Sequence, residues 1–209
     1  MPETTRIVLT RHGHVDGIEP RRFRGRTETP LTDLGRRQAA AAATRIAAEY
    51  GPITALYTSP MGRCVATGSA IAAACGVRAT AIAELLDLDY GDWHWRTYAE
   101  VQRDSPALFS AWLATPHLVR FPGGESLQDL VARAADAIRL VLERHRGQTT
   151  VLVGHETVNR AVLLQLVDRP LSAYWRFAQE PCAVNEIDIA EGLVVARRVN
   201  DTGHLRGID

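Results

Sequence analysis

The sequence predicts an α/β fold: a three-layer αβα sandwich whose mainly parallel sheet carries helices on both faces. Three observations predict it. Short apolar runs rich in β-branched residues, at Arg6–Thr10, Ile53–Thr58 and Thr149–Val153, read as buried strands. Stretches rich in alanine and leucine, long enough for helices, alternate with them. The 209 residues suit one domain and contain no repeat, low-complexity tract or linker.

The first strand ends at Arg11-His12-Gly13, and an arginine-rich loop follows to Thr29-Pro30-Leu31. Thr32 or Asp33 caps an alanine-rich helix that Gly51-Pro52 stops near Tyr50. After the second strand, Ser59-Pro60 leads into a helix from Met61 to Cys75, ended by Gly76. A third strand is expected at Ala79–Ala83. Helical periodicity then breaks, and Trp93, Trp95 and Trp112 gather in the stretch up to Pro122. Residues 92–122 are therefore expected to form a short cap-like insertion, small and helical, over the C-terminal edge of the strands. Gly123-Gly124-Glu125-Ser126 caps a helix to about Arg146, the third long strand ends at Gly154-His155, and a helix spans Thr157–Val167. Two final runs form a hairpin around Glu191-Gly192.

Composition removes several kinds of chemistry. All 24 basic residues are arginine, so a Schiff-base lysine and a Walker-type phosphate loop are excluded. Formal net charge is zero, which points to neither nucleic acid nor a membrane surface. Cys64, Cys75 and Cys182 are odd in number and lack CxxC spacing, so neither a disulfide framework nor a zinc site is expected. That usage suits a reducing cytoplasm. Met1–Thr5 lacks an apolar signal core, and no apolar run is long enough to span a bilayer.

In open parallel sheets the site lies outside the carboxyl ends of the strands. That rule gathers Arg11-His12-Gly13, Ser59 to Arg63, and Gly154-His155 at one edge. These residue types match the needs of phosphoryl transfer. His12 supplies a neutral imidazole near pH 7 as nucleophile. Arg11 and Arg63 each present a planar fork to phosphoryl oxygens, and a protonated His155 adds a donor. Gly13 is expected to let the backbone approach the phosphate closely.

With these residues in view, the chain resembles the histidine phosphatase superfamily, which includes phosphoglycerate mutases and α-ribazole phosphatase. Thr10-Arg11-His12-Gly13 matches the opening motif, and Thr29-Pro30-Leu31-Thr32 to Gly35 with Gln38-Ala39 the next block. Thr58-Ser59-Pro60 with Arg63 and Thr67, Gly123 to Ser126, Val153-Gly154-His155, and Asn200-Asp201-Thr202 with His204-Leu205 match later ones. The resemblance implies a three-layer sandwich, His12 as nucleophile, Arg11, Arg63 and His155 as the phosphate pocket, and no metal or organic cofactor.

Some positions depart from the family pattern. The family's acid is usually a glutamate shortly before a Gly-x-Trp element; here the element is Gly91-Asp92-Trp93 and the matching residue is Asp87, with Glu84 as rival. Apolar neighbours such as Leu85, Leu88 and Tyr90 are expected to help Asp87 hold a proton. His94-Trp95 replaces the usual Glu-Gly; Trp95 either lines the substrate pocket or, the reading favoured for a single tryptophan, packs the insertion. Ile18 stands where relatives have asparagine, so Arg24 or Arg26 is the candidate replacement contact. Glu156 replaces a small residue, and either points outward or holds a cationic part of the substrate. Asn159 and Arg160 are read as structural.

The function expected is hydrolysis of small phosphomonoesters, with a small phosphorylated metabolite as the partner. Little chain follows His204 and the insertion is short, which favours an open pocket and water as acceptor over a mutase. The alternatives are a phosphoglycerate mutase-type phosphotransferase and a degenerate member that binds phosphate or protein without turnover. Oligomeric state is unreadable, a homodimer being one option.

Overall fold

The structure is a computed structural model that describes residues 3–208. Met1 and Pro2, part of the segment read above for a signal core, lie outside the described residues.

Among the described residues, six strands form one sheet. They are β1 (Thr5–Arg11), β2 (Ala55–Thr58), β3 (Ala79–Ala81), β4 (Thr149–Gly154), β5 (Val184–Ala190) and β6 (Leu193–Asp201). Their order is β3-β2-β4-β1-β5-β6. The first four run parallel, β5 runs antiparallel to β1, and β6 antiparallel to β5. The sheet is thus mixed but mainly parallel. Glu191 and Gly192 join β5 to β6 with φ of 51° and 79°. Two positive φ values in a two-residue loop suit the right-handed twist of a hairpin.

The described residues form six α-helices, α1 (Asp33–Tyr50), α2 (Gly62–Cys75), α3 (Tyr98–Asp104), α4 (Pro106–Ala114), α5 (Leu127–Arg144) and α6 (Glu156–Leu166); α1 and α2 cover one face of the sheet, α5 and α6 the other. Side-chain alternation along each strand decides which face a residue serves. Val8, Leu56, Val151 and Val153 pack against Ala43 and Ile46 of α1 and Ile71 of α2. Ile7, Leu9, Tyr57 and Leu152 pack on the other side with α5 and α6. Thr32 caps α1 by accepting from the Gly35 amide, and Gly76 ends α2 in the left-handed region. The α5 helix opens with a reciprocal capping box between Ser126 and Asp129. It buries Leu127, Leu130, Ala134, Ala137, Ile138 and Val141, the helical spacing that makes one apolar stripe.

Residues 92–122 hold α3 and α4 between single helical turns. Their aromatic side chains are not a separate layer. Trp93, Phe109, Trp112 and Phe121 belong to the same buried cluster as Leu130 and Val158. Phe23, from the loop after β1, stacks on Tyr98 at 4.4 Å and meets Trp93 edge-on at 4.9 Å. A bridge between Arg22 and Thr97 completes the tie between that loop and the insertion. Trp95 corrects the core-packing expectation: it lies outside the buried cluster, 38% exposed, with the Arg22 guanidinium 5.2 Å from its ring centroid.

Candidate active site

Strand register assembles the site. Arg11 pairs with Gly154, and Thr58 with Val153, so β1, β2 and β4 end level with one another. The ladder continues one residue further: the His12 amide donates to Gly154 O at 3.1 Å, and the Ser59 amide to Val153 O at 2.9 Å. His12 and His155 therefore emerge side by side, ring centroids 5.2 Å apart and edge-on. The first turn of α2 sends Arg63 back toward both.

Arg63 is fully buried and all three of its guanidinium nitrogens donate. Nε donates to His12 Nε2 at 3.2 Å and to His155 Nδ1 at 3.3 Å. Nη1 donates to Thr27 O, and Nη2 to Gly25 O at 2.6 Å and Asp87 Oδ2 at 3.1 Å. These contacts define both imidazole tautomers. His12 Nδ1–H donates to Gly13 O at 2.7 Å, leaving a lone pair on Nε2. His155 Nε2–H donates to Ser59 Oγ at 2.9 Å, leaving a lone pair on Nδ1. Burial, then the Arg63 charge, push both rings well below the usual histidine range, so both are neutral near pH 7. The expected protonated His155 thus requires a bound anion to offset Arg63 and Arg11.

Arg11 is 4% exposed. Its Nη1 donates to Gln179 O at 2.6 Å and lies 3.5 Å from Glu156 Oε2, while its Nε is buried without a hydrogen-bond partner. A buried guanidinium donor left unpaired is costly unless a ligand or water meets it.

The structure separates the rival carboxylates. Asp87 joins the cluster, with Oδ2 3.1 Å from Arg63 Nη2 and 3.5 Å from His155 Nδ1. Its other oxygen accepts from the Thr157 hydroxyl and the Leu88 amide. Leu85, Leu88 and Tyr90 are buried as expected, but the carboxylate oxygens themselves face donors rather than apolar atoms. Glu84 is not brought into the cluster; its backbone carbonyl accepts from Arg133, which also holds Leu86 O and Asp87 O. Arg133 in turn forks onto Glu125, which places the Asp87 segment against α5. Nothing in the sequence pattern marked Arg133 for this role.

One further expectation is corrected: Arg26 does not reach the cluster, because Asp89 at 3.3 Å and Glu125 at 2.8 Å hold its guanidinium. Gly13 is required by helix packing: a Cβ there would lie 2.3 Å from Gly35 O of α1.

Arg24 does reach the pocket, donating to Gly17 O and lying 3.9 Å from Glu156 Oε2. Glu156 points inward. Its carboxylate meets Arg160 at 2.7 Å, Arg21 at 3.0 Å and Arg11 at 3.5 Å besides Arg24. Burial opposes its ionisation, but those four guanidiniums outweigh burial and hold it below the usual range. Arg160 was read as structural. It donates to Phe177 O, yet it also lines the pocket between Tyr174 and Trp175, both about 5 Å from its guanidinium carbon. The i, i+4 spacing of Glu156 and Arg160 was the available signal for their pairing. Among the described residues, no group of three or more His, Cys, Asp or Glu side chains is placed to hold a metal ion.

The chain belongs to branch 1 of the histidine phosphatase superfamily, whose family profile matches residues 7–202. It is 30% identical over 200 residues to "Phosphoserine phosphatase 1" of Hydrogenobacter thermophilus, covering 96% of this chain and 94% of that protein. It is also 30% identical over 205 residues to "Probable phosphoglycerate mutase GpmB" of Salmonella choleraesuis, covering 95% and 94%. Among solved structures, Bacillus stearothermophilus YhfR superposes with a TM-score of 0.89 at 28% identity, covering 96% of this chain and 99% of that one.

Proposed function

We propose that the protein is a phosphatase that hydrolyses small phosphomonoesters through a phosphohistidine on Nε2 of His12. One observation carries the proposal. Arg63 Nε donates to the Nε2 lone pair of His12 and to His155 Nδ1, within a buried cluster that also holds the Asp87 carboxylate. A phosphoryl group entering there meets a nucleophile, fixed donors and a proton carrier together.

In the first step His12 Nε2 attacks phosphorus and the bond to the ester oxygen breaks. Arg11, Arg63 and His155 hold the equatorial oxygens. Asp87 Oδ2 delivers a proton to the departing alkoxide. That proton enters with the complex, shared between Asp87 and the phosphoryl group, whose second ionisation lies at about pH 6. In the second step Asp87 takes a proton from water as its oxygen attacks phosphorus, the N–P bond breaks, and inorganic phosphate leaves. As substrate enters, the Arg63 Nε–H passes from the His12 Nε2 lone pair to a phosphoryl oxygen, while backbone ties at Gly13 O, Thr27 O, Gly25 O and the Leu88 amide keep His12, Arg63 and Asp87 in position.

The test is phosphate release from an aryl phosphate by wild type and His12→Ala. The variant is expected to lose more than about a thousandfold in kcat, the scale of a missing covalent nucleophile. Equal release from both would overturn the proposal. The similarity to a protein named as a phosphoglycerate mutase supports a second reading, transfer between hydroxyls of one substrate. Phosphoglycerate that isomerises faster than it releases phosphate would favour that reading.

A further inference from the structure

The Glu156 carboxylate divides the site into two unequal parts. On the His12 side the pocket offers only about 20 Å³, room for about one water. Beyond Glu156, a cavity of about 310 Å³ opens toward Ile18, Gln179 and Glu180. Arg21, Arg24, Glu156 and Arg160 line both. Their ion pairs stand between the two, and a space of about 20 Å³ is too small for a phosphoryl group with its alcohol.

We propose that Glu156 is a resident anion that plugs a second anion subsite made by Arg21, Arg24 and Arg160. It follows that the preferred substrates are phosphomonoesters whose leaving alcohol carries its own carboxylate or second phosphate. This inference rests on the phosphatase reading above. Glu156 is the first residue of α6, so its backbone is fixed and only its side chain can turn away. When it does, four guanidiniums lose their shared carboxylate. The phosphoryl group takes Arg11, which already has an unpaired Nε. Arg21, Arg24 and Arg160 remain, and Arg24 also has a buried Nε without a partner. Arginine stays charged at any working pH, so these charges are neutralised by an anion or not at all. A neutral leaving group would leave the largely buried Arg24 and Arg160 without their carboxylate, which is unfavourable, while the half-exposed Arg21 is met by water. An anionic leaving group restores the pairs with the same forked geometry.

The test compares matched substrates. Phosphoglycolate, 3-phosphooxypropanoate and 4-phosphooxybutanoate are each assayed against the alkyl phosphate of equal length, with an aryl phosphate as reference. Propane-1,3-diol bisphosphate against propyl phosphate tests the second source of charge. At least one anionic probe is expected to exceed its partner tenfold or more in kcat/KM, and the winning pair tells carboxylate from phosphate. Arg21→Gln, at the more exposed edge of the subsite, is expected to cut that ratio at least threefold; Glu156→Gln is expected to raise it. Ratios within twofold for every pair, with the alkyl and aryl phosphates still hydrolysed, would overturn the subsite and leave the phosphatase reading intact. A ratio unmoved in both variants would also overturn it. No phosphate from any probe would instead defeat the phosphatase reading.

Discussion

At the scale of single residues, two opposed demands on His12 are met by position. A nucleophile must be unprotonated, yet it must sit among the cations that hold phosphate. Burial, together with Arg63, His155 and Arg11, pushes the His12 ring well below its ordinary value of 6.5. A lowered value means that the neutral ring persists as pH falls through the usual histidine range. The acid limb of kcat/KM for an aryl phosphate is therefore expected well below pH 6.5, and a limb at or above 6.5 would contradict the assignment. Thr157 raises a second prediction. Its hydroxyl and the Leu88 amide hold Asp87 Oδ1, which turns Oδ2 toward His155 and Arg63. Thr157→Val removes one of those ties without adding volume. Its kcat is expected to fall about tenfold on alkyl phosphates, or about 1.4 kcal/mol. The fall should be much smaller on an aryl phosphate, whose leaving group needs little protonation. Thr157→Ser should restore the alkyl rate. An equal loss on both substrates would mean that Thr157 matters only to the fold.

At the scale of elements, the closeness of β1 and α1 decides where His12 can stand. Gly13 and Gly35 face each other with no side chain between them; a Cβ on Gly35 would lie 2.1 Å from His14 O. Both partners at that contact are backbone, so neither can yield by rotating a side chain. Gly13→Ala is expected to cost about 1–3 kcal/mol of stability as an overpacking change. It should also shift the His12 amide from Gly154 O and lower kcat. Thermal denaturation beside a phosphate-release assay checks both, and an unchanged melting temperature would contradict the packing account. A comparable rigidity surrounds Asp87. Its segment has little regular structure of its own and is held by Arg133 and Glu125 from α5 and the turn before it.

At the scale of the whole molecule, what was legible in the sequence followed from local and periodic signals. Apolar strands between helices, caps at Thr32 and Ser126, the stop at Gly76 and the hairpin at Glu191-Gly192 all carry their causes within a few residues. The meeting of Arg11, His12, Arg63 and His155 was legible because parallel strands end level and present their carboxyl ends together. The rest depended on side-chain direction across long sequence distances. Nothing near Arg26 says that Asp89 and Glu125 will capture it, and nothing near Glu156 says that Arg21 and Arg24 will turn it inward. The packing role of Gly13 was not legible because it depends on the backbone of Gly35, which only the packed layers bring near. The branch 1 family match and the similarity to a named phosphoserine phosphatase agree with the reaction class proposed for this arrangement. The central claim is the covalent intermediate on His12, and the most direct measurement traps it. Enzyme mixed with a phosphate-labelled monoester is quenched in base within milliseconds, digested and mapped. Base-stable, acid-labile label is expected on His12 alone and is expected to be absent from His12→Ala. Turnover without trapped label, or label on any other residue, would contradict it.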